Sequence, residues 1–256
     1  MTVHLVGVGP GSADLMTVRA ARLLGRATAV VYDRLVGDDV LDFVSPTAER
    51  YPVGKTPGRP GPTQDDINEL LIQLGRRHDS VVRVKGGDPF VFGRGIEEAR
   101  AVMAAGLAVE VVPGVTSALA APMTAGISVT GRGVSSGACI VTAHQDPDST
   151  PIDWDAVARS GLTISVLMGA RRAAEVRDQL LAGGLAPTTP VAVITDAHRA
   201  GQRSWSGTLE RLGSHPVAAP SVLVIGDAAH PAHRPRPPSA PKSTHSMTSR
   251  GVKDFR

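Results

Sequence analysis

Three times in the first half of this chain, a short apolar segment runs into a loop of glycine and proline, and each loop then enters a segment with helical spacing. The apolar segments are Val3–Val8, Ser80–Val84 and Ala108–Val112. Strands that alternate with helices in this way favour a parallel β-sheet. Open sheets of that class bind ligands beyond the carboxyl ends of their strands. We therefore predict an α/β fold with a small-molecule site near these loops.

Further strands and helices complete the predicted first half. The strands are Ala27–Tyr32 and Tyr51–Val53, and the helices are Ser12–Leu24, Val36–Phe43, one that begins after Thr63, Ile96–Ala105 and Ser117–Ala125. Ser12 is the expected N-cap of the first helix. Thr63, with Asp66 three residues later, is typical of a capping box and marks the start of its helix.

The second half has a different pattern, in which two helices, Asp153–Arg159 and Ala173–Ala182, are interspersed among five strands. The strands are Ala138–Thr142, Leu162–Leu167, Val191–Ile194, Arg203–Gly207 and Ser221–Ile225. This ratio predicts a mixed sheet. The Gly/Ser-rich stretch at residues 130–137 marks the expected boundary between an N-terminal α/β lobe (1–130) and a C-terminal α/β lobe (131–229). A basic tail rich in Pro and Ser (230–256) is expected to be disordered.

Composition excludes several classes of protein. Hydrophobic residues make up 42% of the chain, enough for a sizeable core, yet no apolar run reaches the ~18 residues that a membrane span requires. Cys139 is the only cysteine and the eight histidines are scattered, so we expect neither an internal disulfide nor a metal site. The chain enters a strand without a basic leader segment, which predicts a cytoplasmic protein with no membrane partner.

The net charge of +3 belongs mainly to the tail. From His230 onward there are six basic residues and one acidic residue, so the preceding body is slightly acidic. A basic Pro/Ser tail is usually a solvated end of the chain. We therefore expect no nucleic-acid partner, and weak RNA or membrane contact through the tail is the alternative.

The glycine loops offer ligand contacts, each with a simpler structural alternative. Gly7–Gly11 has the position of a dinucleotide-binding fingerprint but lacks its later glycine, so a tight turn is equally consistent. In the second loop, Gly86–Pro89, Asp88 either accepts hydrogen bonds from a ligand or forms a turn. Phe90 and Phe92, half of the four phenylalanines, either line a site or fill the core.

The third loop, Pro113–Ser117, brings hydroxyl groups to the start of a helix. Taken alone, this position favours an N-cap. Three such loops at the ends of parallel strands together favour a ligand site, because those ends lie at one edge of the sheet.

Several segments together are similar to the uroporphyrinogen-III C-methyltransferases of the tetrapyrrole methylase superfamily. They are GVGPGSADLMT from Gly7, VVYDRLV from Val30, VGK from Val53, VVRVKGGDPFVFGRG from Val81, VVPGVTSA from Val111 and LMG from Leu167. The similarity extends from about Val3 to Gly226. It implies two α/β lobes with S-adenosyl-L-methionine in the cleft between them, a homodimer, and two methyl transfers that convert uroporphyrinogen III through precorrin-1 to precorrin-2. S-adenosyl-L-homocysteine is the implied by-product, and sirohaem or cobalamin biosynthesis is the implied pathway.

The resemblance also implies roles for individual residues. Asp33 matches the proton acceptor and Lys55 the proton donor. A helix N-cap is an equal alternative for Asp33, and a solvated loop lysine is the alternative for Lys55. The implied cofactor contacts are Pro10, Gly86, Gly87, Asp88, Val91, Thr116, Ser117, Met168 and Ala197.

The tetrapyrrole is a polycarboxylate, so arginines are expected to bind it. The candidates in the loops are Arg34, Arg59, Arg94 and Arg132. Three positions depart from the family pattern, namely Thr56 where arginine is common, Gly131 where histidine is usual, and Ile96 in place of a glycine. A methylase for another precorrin, or a low-activity paralogue that binds the cofactor in a regulatory role, is therefore the alternative.

Overall fold

The computed structural model describes residues 1–54, 61–144 and 150–235. These residues form an α/β protein with two compact units, which divide between Thr116 and Ser117. Each unit is built on its own five-stranded sheet.

The described residues of the first unit form a parallel sheet and four α-helices. Its strands are β1 (Thr2–Gly7), β2 (Ala29–Tyr32), β3 (Glu49–Pro52), β4 (Ser80–Lys85) and β5 (Ala108–Val112). Its helices are α1 (Val18–Leu24), α2 (Asp38–Leu41), α3 (Gln64–Arg77) and α4 (Gly95–Ala104). The strand order is β3-β2-β4-β1-β5, and every pair is parallel, which confirms the predicted parallel sheet.

Helices cover both faces of this sheet because its central strands are apolar on both sides. In β1, Val6 packs on one face with residues of α1 and α2 such as Leu24. Its neighbour Leu5 packs on the opposite face with residues of α3 and α4 such as Leu71. The strand ends therefore remain as the part of the sheet that carries loops.

One predicted helix start is wrong. Ser12 does not cap the first helix, since its side chain makes no capping hydrogen bond and Ala13–Leu15 forms a separate 3₁₀ turn. The hydroxyl of Thr17 instead accepts a hydrogen bond from the amide of Ala20, so α1 begins at Val18. The capping box of Thr63 and Asp66 is confirmed.

In the second unit, the residues that the structure describes form a mixed sheet and three α-helices. Its strands are β6 (Ala138–Thr142), β7 (Thr163–Leu167), β8 (Pro190–Thr195), β9 (Arg203–Thr208) and β10 (Ser221–Ile225). Its helices are α5 (Ser117–Thr124), α6 (Trp154–Arg159) and α7 (Ala173–Ala182). The order is β6-β7-β10-β8-β9, with β6 parallel to β7 and the other pairs antiparallel, which confirms the predicted mixed sheet.

Helix α5 packs with the second unit, because it contacts β7 and β10. The compact units thus divide earlier in the chain than residues 130 and 131, and the lobe boundary expected there stays a prediction. Most of the predicted tail, residues 236–256, lies outside the described residues. Within the described ranges, no helix combines the length and apolarity needed to cross a membrane.

Candidate active site

The loops that follow β1, β4 and β5 touch one another at the carboxyl edge of the first sheet. Gly9 and Gly87 exchange backbone hydrogen bonds of 3.2 and 2.6 Å. A Cβ on Gly7 would lie 2.7 Å from both the Gly87 oxygen and the Gly114 nitrogen, which is closer than real contacts permit. Gly7 is therefore required for this close packing, and so is Gly114, where a Cβ would overlap the same Gly87 oxygen. This edge brings together the predicted ligand loops of the first unit.

The carboxylate of Asp88 links two of these loops through hydrogen bonds. Its Oδ1 accepts a hydrogen bond of 2.8 Å from the amide of Phe90, and its Oδ2 accepts one of 3.1 Å from the amide of Gly114. The turn-forming interpretation of Asp88 is confirmed. Each carboxylate oxygen keeps a second lone pair, so Asp88 can also accept a hydrogen bond from a cofactor. That direct contact stays a prediction.

The backbone beside Asp88 is open at Gly86. Gly86 is exposed, and among the described residues no atom beyond its two chain neighbours lies within 4 Å of the place where its Cβ would be. The side chains of Phe90 and Phe92 are 52% and 43% exposed, so the core interpretation of these two residues is wrong. Phe92 also has a φ of 51°, a strained conformation of the kind that clusters at functional sites.

The other implied cofactor residues of the first unit occupy the same three loops. Pro10 follows Gly9 directly and is half-buried, as is Val91 in the loop after β4. Thr116 lies between the end of β5 and the start of α5. The structure thus places Pro10, Val91 and Thr116 on the loops whose backbones are packed together.

Asp33 follows β2 at the same edge of the sheet. Its Oδ1 accepts a hydrogen bond of 2.8 Å from Nη2 of Arg83, and its side chain is 35% exposed. The N-cap alternative for Asp33 is wrong, because α2 begins at Asp38 after Gly37 and the Asp33 carboxylate pairs with Arg83. A bound molecule at this edge of the sheet can reach the half-exposed carboxylate, and the role of Asp33 as proton acceptor stays a prediction.

A buried ionic cluster lies behind Asp33. Oε1 of Glu98 accepts hydrogen bonds from Arg83 Nε (3.1 Å), Lys85 Nζ (2.8 Å) and Gln64 Nε2 (3.3 Å). The side chains of Arg83 and Glu98 are 2% and 0% exposed. Burial opposes the charge of Arg83, but the carboxylates of Glu98 and Asp33 outweigh it and raise its pKa. Burial, followed by repulsion from Arg83, lowers the pKa of Lys85.

This ionic cluster was not predicted from the sequence. One signal was present, since Arg83 and Lys85 interrupt an otherwise apolar run in β4. Ionisable side chains in a strand that is buried on both faces need paired charges. The partner Glu98 could not be chosen from the sequence, because the helix α4 begins with two adjacent glutamates, Glu97 and Glu98.

The second unit holds three of the implied cofactor residues. Strands β7 and β8 are both antiparallel to β10, so they run in the same direction and end at the same edge. Met168 follows β7 with a φ of 56° and is 48% exposed. Ala197 follows β8 between Asp196 and His198, whose φ values are 54° and 60°. Strained backbone at both strand ends is a common property of binding loops.

Ser117 is the first residue of α5, and α5 is hydrogen-bonded to a loop at this edge. The ring Nε2 of His198 lies 3.1 Å from the carbonyl oxygen of Ala120 and donates a hydrogen bond to it. The loop that carries Ala197 is therefore fixed to the helix that carries Ser117. The structure brings the sequence-predicted residues of this unit to one region.

The predicted arginines have different environments. Arg34 is exposed beside Asp33, and Gly54 packs against its backbone. Arg94 forms a double hydrogen bond with Glu97, of 3.0 and 2.6 Å. Arg132 lines an open depression of about 610 Å³ formed by residues 130–136 and 161. These residues precede β6 and β7, so Arg132 lies at the edge of the second sheet opposite to Met168 and Ala197.

Three residues singled out in the sequence, Lys55, Thr56 and Arg59, lie outside the described residues. Gly131 forms a bridge with Ser135 at the depression, and Ile96 is 46% exposed in the first turn of α4. The ranges that the structure describes contain no group of three or more His, Cys, Asp or Glu side chains that could hold a metal ion.

The fold and the loops define a two-unit α/β protein of the tetrapyrrole methylase class. The chain belongs to the tetrapyrrole (corrin/porphyrin) methylases, whose family model matches residues 2–213. The predicted family is thereby confirmed.

The chain is similar to one curated protein of about its own length and to another that is about twice as long. It is 45% identical over 234 residues to the S-adenosyl-L-methionine-dependent uroporphyrinogen III methyltransferase of Methanosarcina barkeri, with 89% of this chain and 92% of the relative covered. It is 46% identical over 227 residues to siroheme synthase 1 of Cronobacter sakazakii, with 88% of this chain covered. It spans only 48% of that longer protein.

A solved structure has the same fold. The uroporphyrin-III C-methyl transferase of Thermus thermophilus, crystallised in complex with S-adenyl homocysteine, superposes with a TM-score of 0.79 at 39% identity. The match covers 89% of this chain and 98% of that one.

Proposed function

We propose that this protein transfers methyl groups from S-adenosyl-L-methionine to carbon atoms of uroporphyrinogen III, twice, through precorrin-1 to precorrin-2. The observation that carries the proposal is the packed carboxyl edge of the first sheet, where glycine loops, an open space at Gly86 and the half-exposed Asp33 occur together. The names of the similar proteins in Methanosarcina barkeri and Thermus thermophilus support the same substrate and cofactor.

The residues of the first unit fit the cofactor. The space beside Gly86, where a Cβ would meet no atom of the described residues beyond its chain neighbours, can receive part of a ligand, and the exposed Phe90 and Phe92 offer apolar contact nearby in the chain. When bound, the cofactor supplies an electrophilic methyl group on a sulfonium centre. We assign its binding to Pro10, Gly86, Gly87, Asp88, Val91, Thr116, Ser117, Met168 and Ala197.

The chain's own contribution to the chemistry is to position and to move protons. Pyrrole carbons are electron-rich, so holding the substrate in line can lower the barrier by about 7–11 kcal/mol without a strong base. The ring that has gained a methyl group then loses a proton, and the carboxylate of Asp33 accepts it. Lys55 is proposed as the proton donor.

The substrate carboxylates need cationic partners, and the candidate arginines differ in exposure and in whether they already pair with a carboxylate. Arg34 is exposed and adjacent to Asp33 in the chain. Arg94 is already paired with Glu97, so it would have to exchange that carboxylate for one of the substrate. Arg34 is therefore the strongest candidate, with Arg59, Arg94 and Arg132 as further candidates.

The function is tested by incubating the purified protein with uroporphyrinogen III and methyl-labelled S-adenosyl-L-methionine under anaerobic conditions. The expected product contains two labelled methyl groups per tetrapyrrole. Binding of S-adenosyl-L-homocysteine without any incorporation would contradict the proposal and favour a regulatory cofactor-binding protein. Label that enters a later precorrin but not uroporphyrinogen III would indicate a different methylase.

We also propose that the protein is a cytoplasmic homodimer that acts in sirohaem or cobalamin biosynthesis. The similarity to siroheme synthases supports the first of these pathways, although the chain spans about half of their length. Sedimentation equilibrium tests the assembly, and a monomeric mass at concentrations that support turnover would contradict it.

A further inference from the structure

We infer that Arg83 is a positioning residue, which fixes the Asp33 carboxylate in the orientation needed for proton transfer. This inference rests on the proposed function. Arg83 lies on β4 and Asp33 on the loop that follows β2, 50 residues apart in sequence, and they meet through the 2.8 Å hydrogen bond from Nη2 to Oδ1. Arg83 itself is 2% exposed, so it acts on the reaction only through Asp33.

The guanidinium of Arg83 is held on three sides. Nε donates to Oε1 of Glu98 at 3.1 Å, Nη1 donates to the carbonyl oxygen of Val84 at 3.2 Å, and Nη2 donates to Asp33. A planar guanidinium with these partners has one orientation. The position of the Asp33 carboxylate is therefore determined by β4 and not only by its own loop.

Glu98 is fixed in turn by Lys85 and Gln64. Both donate to the same oxygen, Oε1, at 2.8 and 3.3 Å. The cluster thereby joins α3, α4 and β4 behind the loop after β2. Two cations and two carboxylates balance in charge, which allows Arg83, Lys85 and Glu98 to remain buried.

The two carboxylates that bind Arg83 differ in exposure, and this difference distinguishes the arrangement from an ion pair that only stabilises the fold. Glu98 is 0% exposed, whereas Asp33 is 35% exposed at the loop-bearing edge of the sheet. Arg83 thus connects a carboxylate in the core to one that solvent, and a bound substrate, can reach.

The decisive experiment is a double-mutant cycle with Arg83→Lys and Asp33→Asn in the full chain. A lysine keeps the charge but cannot bridge both carboxylates. We expect Arg83→Lys to lower kcat by on the order of 100-fold, with KM for the tetrapyrrole and affinity for S-adenosyl-L-homocysteine within about twofold of wild type. In the Asp33→Asn background the same change should lower kcat no further. Arg177→Lys, at a residue of the second unit bonded to Asp178 and Leu212, is the matched control.

Multiplicative losses in the double variant would overturn the inference, as would wild-type turnover in Arg83→Lys. If Arg83→Lys does not fold, Glu98→Gln is used instead. It leaves Arg83 in place and removes the negative charge of the carboxylate that accepts from Nε of Arg83. Its kcat should then fall while cofactor affinity is retained, and an unchanged kcat would overturn the inference.

A readout that is independent of turnover separates this inference from the proposed function. Crystal structures of wild type and Arg83→Lys, or of Glu98→Gln in its place, should show the Asp33 carboxylate displaced or rotated in the variant. An unchanged carboxylate would overturn the positioning role, even if the protein methylates uroporphyrinogen III. A wild-type protein without methylation activity would instead contradict the proposed function and leave the structural comparison valid.

Discussion

The amide of Gly114 donates a hydrogen bond of 3.1 Å to Oδ2 of Asp88, and this single bond joins two loops that lie 26 residues apart in sequence. The other oxygen of the carboxylate accepts from the amide of Phe90 at 2.8 Å. Two backbone donors in a close-packed region thus depend on one side chain. The shape of the carboxyl edge of the first sheet depends on Asp88 whether or not it also contacts a ligand.

Asp88→Ala should therefore weaken both the fold and the binding of S-adenosyl-L-homocysteine. Leaving two amides without their acceptor costs about 1–3 kcal/mol each if they become buried and unpaired. We expect a lower free energy of unfolding and a dissociation constant raised by at least ~10-fold, which corresponds to about 1.4 kcal/mol. Urea unfolding and calorimetry measure the two effects. Asp42→Asn, at an exposed residue, is the control, and unchanged affinity in Asp88→Ala would remove Asp88 from the site.

Gly114→Ala should lower the stability of the fold, whereas Gly86→Ala should leave it unchanged. A Cβ on Gly114 would overlap the carbonyl oxygen of Gly87, so Gly114→Ala should unfold at a lower temperature, as a substitution that forces backbone to shift. In the described part of the chain, a Cβ on Gly86 meets nothing within 4 Å beyond its chain neighbours, so Gly86→Ala should keep the melting temperature of wild type. If the cofactor occupies that space, Gly86→Ala should still lose affinity for S-adenosyl-L-homocysteine. Wild-type affinity in Gly86→Ala would place the ligand elsewhere.

Lys85 should make stability depend on pH in the alkaline range. Its pKa is lowered from the usual 10.5, first by burial and then by Arg83. Between the lowered value and 10.5 the unfolded chain binds more protons than the folded one, so this group makes the folded state more stable as pH rises. Relative to Lys85→Met, wild type should therefore gain free energy of unfolding as pH increases through that window.

Urea unfolding of both proteins from neutral pH towards 10.5 measures this difference. Lys242→Met, in the tail, serves as the control. The difference in free energy of unfolding between wild type and Lys242→Met should not change with pH. A difference between wild type and Lys85→Met that stays constant or shrinks with rising pH would contradict the assignment.

Lys55→Ala should separate binding from turnover. As a proposed proton donor, Lys55 contributes to the chemical step, for which general acid catalysis is typically worth on the order of 10²-fold or more. We expect kcat to fall by that order while the dissociation constant for S-adenosyl-L-homocysteine stays near that of wild type. Steady-state kinetics and calorimetry on the same preparation provide the measurement. Equal losses of both quantities would indicate structural damage and not a lost donor.

Much of the fold could be predicted because its signals are local. The apolar runs and the glycine loops that follow them are written in neighbouring residues, so β4, β5 and α4 lie within a residue or so of their expected bounds. The capping box at Thr63 is local in the same way. The start of α1 was mispredicted because Ser12 and Thr17 are both plausible caps, and the intervening 3₁₀ turn decides between them.

The sequence by itself determined the class of fold, the two kinds of sheet and the loops on which a ligand site could lie. Only the tertiary structure decided what individual carboxylates do. Asp33 pairs with Arg83 across 50 residues because the strand order places β2 beside β4. Glu98 and not Glu97 neutralises β4, because only one of two adjacent helical residues faces the sheet. Periodicity and glycine are properties of a segment, whereas an ion pair between distant segments depends on which strands become neighbours.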